Sequence, residues 1–240
     1  MCLMLRAVLF DLDDTLFDHS GCARGALEAV HGGCAALSGI PFDEFELAHA
    51  RILEALHLDV LAGRRGIDDA REERFRRLIA ESGAAPDGML ARGLAARYRD
   101  RYVAERRALA GAAALLEAVR AHAAIGIVTN NLRDEQVAKI RNCGLDVHLD
   151  VLVVSEEAGV SKPDPAIFQV ALDRLGCAAP EAVMVGDSWP ADILGARAAG
   201  IPAIWFNPAG APAPDPDVPV LRGLTPADAA VRAIFDAHRR

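Results

Sequence analysis

Residues 8–18, VLFDLDDTLFD, set four carboxylates (Asp11, Asp13, Asp14 and Asp18) directly behind a short apolar run. Like charges this close repel one another, and a folded chain tolerates them where a cation collects them. The residues behind the later apolar runs enlarge the group. Thr129 ends 125–129 (IGIVT) and Asn130 comes next, Lys162 lies in the loop after 150–154 (DVLVV), and Asp187, Ser188 and Asp192 stand behind 182–186 (AVMVG). In open parallel sheets ligands bind beyond the carboxyl ends of the strands, so acids, a hydroxyl, an amide and an amine converge on one edge. Asp11 and Asp187 together form a hard oxygen site suited to Mg²⁺, which keeps several waters and often shares its shell with phosphate. Lys139 and Lys162 are the only lysines in an arginine-biased chain. A compact ammonium in the loop SKPDP suggests a specific need, pairing with both a phosphate and a nucleophilic carboxylate, with a solvated loop lysine as the alternative.

Two other readings of the acidic segment fail. An EF-hand loop over 11–22 would need Gly at its sixth position and Glu at its twelfth, where Leu16 and Cys22 stand. A Walker B strand would need a GxxxxGK[ST] loop elsewhere, and the chain has none.

The elements that must carry these residues alternate between two textures. Apolar runs at 5–10, 125–129, 150–154, 182–186 and 202–206 predict short buried strands, and stretches such as 132–143 and 165–176 predict the helices between them. That alternation means a parallel sheet covered on both faces. Residues 18–109 hold no convincing strand. A crossover helix does not need about ninety residues, so this stretch reads as an inserted helical domain. The proline-rich 208–218 reads as a surface loop leading to a last strand near 218–221 and a helix opened by TPAD at 225–228.

Composition narrows the function classes. The 240 residues are 52% hydrophobic, enough for a well-buried core. Against 34 acidic residues stand 26 basic ones, for a net charge of −8, which disfavours nucleic acid polymers and anionic membranes as partners. The five cysteines (Cys2, Cys22, Cys34, Cys143, Cys177) show no CxxC spacing and read as reduced thiols. No signal peptide or membrane span is expected, and the expected location is the cytoplasm. The seven histidines show no metal-ligand spacing; His19 is expected at the surface or a hinge, and Trp189 and Trp205 in packing.

DLDDT (11–15), VTN (128–130), SKPDPAIF (161–168) and GDSWPAD (186–192), in this order on these elements, resemble the four motifs of the haloacid dehalogenase (HAD) superfamily. The likeness covers 5–17 and 110–207, and the helical insert resembles that superfamily's C1-type cap. It implies a Rossmann-like α/β core (1–17 and 110–240) and a helical cap domain (18–109). The chain resembles the superfamily's small-molecule phosphatases, including nucleotidase-like and N-acylneuraminate-9-phosphatase-like members. The implied reaction is Mg²⁺-dependent hydrolysis of a small phosphomonoester through an aspartyl-phosphate.

Carried over residue by residue, the resemblance makes Asp11 the nucleophile. Asp13 becomes the group that protonates the leaving alcohol and then activates water. The Asp13 carbonyl would hold Mg²⁺ beside the Asp11 and Asp187 carboxylates. Thr129 and Asn130 would bind phosphoryl oxygens, Lys162 would neutralise charge, and Asp192, with Ser188 beside it, would hold metal-bound water or Lys162 from behind. Dehalogenases of this superfamily lack the acid two residues after the nucleophile, so Asp13 favours phosphoester chemistry. Phosphonatases use a cap lysine, and both lysines here lie outside the insert. A phosphomutase and a non-catalytic HAD-like binder remain as alternatives.

Within the insert, 67–81 (IDDAREERFRRLIAE) predicts a helix with Glu72–Arg76 and Glu73–Arg77 pairs on its solvated face. Ile67, Ala70, Arg71, Arg74, Phe75 and Leu78 share the opposite stripe, so Arg71 and Arg74 interrupt a face that should be buried. Arg74 is the candidate to bind an anionic leaving group; snorkelling to the helix edge is the alternative. Asp14 and Asp18 read as turn or helix-cap residues.

Overall fold

The computed structural model describes residues 4–61, 63–85 and 87–239; the thiol expected at Cys2 lies outside them. Two compact units emerge, one of residues 1–18 with 107–240, the other of residues 19–106.

The chain opens with β1 (Ala7–Phe10) and leaves the first unit for four helices, α1 (His19–Gly32), α2 (Phe42–Leu61), α3 (Ile67–Glu81) and α4 (Gly88–Ala104). It returns with α5 (Ala112–Arg120), β2 (Ala124–Thr129), α6 (Arg133–Asn142), β3 (Val151–Val154), the single turn α7 (Ser155–Ala158) and α8 (Pro165–Leu175). Then come β4 (Ala182–Gly186), a π-helical turn at 189–194, α9 (Gly195–Ala198), β5 (Ala203–Phe206), β6 (Val220–Leu221) and α10 (Ala227–His238).

All six strands are parallel, in the order β3-β2-β1-β4-β5-β6. This is the doubly wound Rossmann order, with β1 central. The apolar run that reads as a strand in the sequence is β1, and every one of its residues is buried. Ala7 and Leu9 pack with Val128, Met184 and the Ile167, Phe168, Ala171 and Leu172 stripe of α8. Val8 and Phe10 alternate to the other face and are also fully buried. Each such side chain withdrawn from water contributes about 1.5–3 kcal/mol. A strand buried on both faces cannot alternate polar with apolar, which is why these segments read as continuous apolar runs.

Register sets the site. Phe10 lies opposite Ile127 of β2 and Val185 of β4, and the Asp11 N–H extends the ladder one step by donating to the Val185 carbonyl at 2.9 Å. Asp11 therefore leaves the sheet level with Val128 and Gly186, at the carboxyl edge.

In the helical unit α1 packs on α2 and α4, and α3 packs on α2 and α4. Asp87 caps α4, its Oδ1 accepting from Met89 N at 2.8 Å and Leu90 N at 3.2 Å. The predicted charge ladder on α3 forms only in part. Glu73 takes both Arg76 and Arg77 at 2.7 Å, whereas Glu72 reaches Arg92 of α4 at 2.9 Å instead of Arg76. A partner on the neighbouring helix displaced the local i,i+4 pair, whose own worth is only a few tenths of a kcal/mol (about 0.2–0.5). Among the described residues, no helix is long and apolar enough to cross a membrane.

Candidate active site

At the carboxyl edge of the first unit the four sequence motifs meet. Lys162 Nζ lies 2.5 Å from Asp11 Oδ1 and 2.6 Å from Asp192 Oδ1, so one ammonium bridges two carboxylates. All three side chains are buried, Asp192 completely. The other Asp192 oxygen accepts from Ser188 N at 2.9 Å. The π-helical turn is opened by Pro190 behind a Ser188 cap, and it turns the Asp192 carboxylate back toward β4 rather than out to solvent as an ordinary first-turn acid would stand. Asn130 fixes the lysine from the other side: its Nδ2 donates to the Lys162 carbonyl at 2.9 Å and its Oδ1 accepts from Lys162 N at 2.8 Å. The side chain expected to meet a phosphoryl group thus also sets the backbone of Lys162.

Asp187 stands directly after β4 and exchanges hydrogen bonds with Thr15, whose Oγ1 accepts from Asp187 N at 3.1 Å and donates to Asp187 Oδ1 at 3.2 Å. Trp205, expected in packing, also serves this corner. Its ring meets Trp189 edge-on at 5.2 Å while its Nε1 donates to the Asp187 carbonyl at 2.7 Å.

Charge balance in this group is unfavourable without a further cation. Burial pushes the Asp11 carboxyl well above its ordinary range; the Lys162 ammonium pulls against that, and Asp192 and Asp187 add to the rise. Burial works against the Lys162 charge, but Asp11 and Asp192 outweigh it and hold its pKa above the ordinary lysine value. Both shifts express one fact: a single ammonium among three carboxylates leaves the site short of positive charge. Asp187 is pushed up to about 6, first by burial and then by Asp192 and Asp14.

Oxygens of Asp11, Asp187 and Asp192 lie within 4.8 Å of one another. Hard carboxylate donors in an electron-rich pocket fit a divalent cation such as Mg²⁺. Asp192 already accepts from Lys162 and Ser188, so Asp11 and Asp187 are the better placed donors. The Asp13 carboxylate stands outside this cluster and turns to α6, where Lys139 Nζ lies 2.6 and 2.8 Å from its two oxygens. Thr129 Oγ1 is buried and accepts from Gln136 Nε2 at 2.6 Å. Sequence reasoning missed Gln136 and Lys139.

Two expected outcomes arise from this geometry. A Cβ on Gly186 would lie 2.3–2.5 Å from the Asp192 carboxylate and its Cβ, and Asp192 is held on both oxygens and cannot swing away. Gly186→Ala is therefore expected to cost about 1–3 kcal/mol in denaturant unfolding and to displace Asp192 from Lys162. Unfolding like the wild type would show that Asp192 is not fixed. The second outcome concerns pH. Because the folded Asp187 binds its proton more tightly than an unfolded aspartate, ionising it removes stability as pH rises from the ordinary aspartate range through about 6. A divalent cation removes that penalty, so the thermal shift produced by Mg²⁺ should be larger at about pH 7 than at about pH 5. Melting curves with Mg²⁺ and with chelator at both pH values check it, and a shift that shrinks toward neutrality would contradict it.

In the helical unit, Arg74 is 6% exposed and does not snorkel. Its guanidinium lies over the rings of Tyr98 (4.9 Å to the centroid) and Phe75 (5.5 Å). Its Nε is buried without a hydrogen-bond partner among the described residues, as is Nε2 of the neighbouring His49. Burial, with Arg71 adding, lowers the Arg74 pKa, and burial followed by Arg74 holds His49 well below the usual imidazole range. Arg71 differs: it is half-buried and pairs with Asp68 at 2.8 Å. His19 Nδ1 meets the Tyr102 hydroxyl at 2.7 Å within this unit.

A parallel sheet in this order, with a carboxylate–ammonium–carboxylate chain at its carboxyl edge, is the build of an α/β enzyme. Residues 5–200 match the haloacid dehalogenase-like hydrolase family. The chain belongs to that family. It is 35% identical over 229 residues to the phosphoserine phosphatase of Thermus thermophilus, covering 85% of this chain and 89% of the relative. It is 34% identical over 215 residues to the ribulose-1,5-bisphosphate 5-phosphatase of Halopiger xanaduensis, covering 85% and 86%. Among solved structures, the HAD-hydrolase YfnB from Bacillus subtilis, bound to magnesium, superposes with a TM-score of 0.73 at 27% identity, covering 96% of this chain and 99% of that one.

Proposed function

We propose that the protein is a Mg²⁺-dependent phosphatase that hydrolyses a small phosphomonoester through a phosphorylated Asp11. The observation that carries the reading is the Lys162 bridge, which holds Asp11 at the carboxyl end of β1 with one oxygen on an ammonium. An Asp11 oxygen forms a bond to phosphorus as the bond to the leaving alkoxide breaks, and Asp13 supplies the proton that the alkoxide takes. Water then attacks the phosphorus, gives its proton to Asp13, and the Asp11–phosphorus bond breaks to free phosphate. Lys162 and the Thr129 hydroxyl stabilise the charge on the transferred group. Bound between Asp11, Asp187 and the Asp13 carbonyl, Mg²⁺ would offset the negative charge shared by carboxylates and phosphate.

The reading assigns Arg74 to an anionic group on the substrate other than the phosphoryl that is transferred. Among the described residues the buried Arg74 Nε has no partner, and such a guanidinium is costly unless an anion completes it. The two relatives named above act on phosphoserine, which carries a carboxylate, and on a bisphosphate, which carries a second phosphate. Phosphate release from paired substrates with and without a second anionic group tests this, on the wild type and on Arg74→Gln. The variant is expected to raise KM about 10–100-fold for the substrates with the second anionic group and to leave the others within about twofold. Equal losses on both sets would remove Arg74 from recognition, and no phosphate from any substrate in the presence of Mg²⁺ would favour a mutase or a binder.

A further inference from the structure

Each of the chain's two lysines ends on an acid of the first motif: Lys162 on Asp11, and Lys139 on Asp13. Lysines on a surface helix ordinarily run their stems outward and keep the ammonium in water. The Lys139 side chain is instead 3% exposed and straddles the Asp13 carboxylate at 2.6 and 2.8 Å. The Phe17 ring lies 5.2 Å from Nζ on another side. Gln136, one helical turn earlier, is fully buried. Its Nε2 donates both to Asp13 Oδ2 at 3.1 Å and to Thr129 Oγ1 at 2.6 Å.

The Gln136 carbonyl Oε1 is buried with no partner among the described residues. Leaving an acceptor unpaired is a standing cost, and rotating the amide would set an oxygen against the Asp13 carboxylate. The amide is thus held in place for what its NH₂ group does. A neutral donor and an ammonium from one helix face converge on a single carboxylate and join it to the hydroxyl at the end of β2.

We propose that Lys139 and Gln136 are positioning residues for Asp13. They fix the orientation of its carboxylate and tie it to Thr129, so that the proton carrier and the phosphoryl-binding hydroxyl are set by one helix. Neither residue touches a reacting atom; both act through Asp13. The proposal rests on the reading of Asp13 as the proton carrier given above.

The test compares Lys139→Met, Gln136→Leu, Asp13→Asn and the Asp13→Asn/Lys139→Met double variant, by Mg²⁺-dependent hydrolysis of a chromogenic aryl phosphate and by thermal melting. Lys139→Met is expected to lower kcat about 100-fold with KM within about twofold, as misplacing a catalytic group by an ångström does. Gln136→Leu removes the unpaired acceptor along with the donors, so it should lower kcat about tenfold without lowering the melting midpoint. The double variant should be no slower than Asp13→Asn alone, because Lys139 has nothing left to position. Full kcat in Lys139→Met, or losses that multiply in the double variant, would overturn the proposal.

If the wild type itself releases no phosphate, the phosphatase reading fails, and the melts still decide on the clamp. Lys139→Met leaves Asp13 without its ammonium, and adding Asp13→Asn should restore part of the lost midpoint. Independent, additive shifts would overturn it.

Discussion

Replacing Asp11 with asparagine is expected to leave the fold intact and to cut phosphate release by a factor on the order of 10⁴ or more. Asparagine keeps the shape and can still accept from Lys162, but its amide cannot attack phosphorus. The substitution is also mild for stability. Burial already pushes the Asp11 carboxyl toward its neutral form, and Asp192 and Asp187 add to that pressure. A neutral side chain here relieves repulsion, so the melting midpoint of Asp11→Asn should equal or exceed that of the wild type in the absence of Mg²⁺. Binding of Mg²⁺ should weaken, since one of its two best placed donors is lost. A folded Asp11→Asn protein that retains a hundredth (~1%) or more of wild-type turnover would mean that another group or water attacks phosphorus directly.

Lys162→Met carries the second large effect, and it differs in kind. Removing the ammonium leaves Asp11 and Asp192 facing one another, one nearly and one fully buried, with no cation between them. Breaking a buried pair from one side costs about 3–5 kcal/mol, because the stranded charges lose both water and partner. The loss should be greatest near neutral pH and shrink in acid, where a proton takes the place of the ammonium. Activity should fall on the order of 10²–10³-fold, the scale for losing one charge that faces a developing anion. Denaturant unfolding at neutral and acidic pH, together with phosphate release, separates the two contributions. A Lys162→Met protein as stable as the wild type at neutral pH would show that the bridge is not the organising contact of the site.

Legibility of these features in the sequence depends on where each residue stands. Asp11, Asp187 and Lys162 come after runs whose continuous apolar character marks strands buried on both faces, and the carboxyl ends of such strands are where a ligand must bind. The sheet was readable for the same reason, with the strand expected at 5–10 beginning at Ala7 and the one near 218–221 shortened to Val220–Leu221. Lys139 and Gln136 were not readable, because RDEQVAKIRN has the polarity of a solvated helix. Periodicity cannot distinguish a lysine in water from one buried against a carboxylate more than a hundred positions away in the chain. Glu72 shows the same limit from the other side, since a tertiary partner on α4 replaced the local one. Trp205 read as packing because its ring does pack; the hydrogen bond from its indole depends on a strand order that spacing alone does not give.

In the proposed reaction Asp11 carries the phosphoryl group between the two halves of the chemistry. The most direct measurement is acid quenching of the enzyme during turnover of a phosphomonoester with Mg²⁺, followed by mass spectrometry of the peptide that contains DLDDT. The expected result is a phosphoryl adduct on Asp11 that hydroxylamine removes, as it does an acyl phosphate, and that is missing from Asp11→Asn. Steady release of phosphate with Asp11 unmodified at every quench time, or an adduct on a different residue, would contradict it.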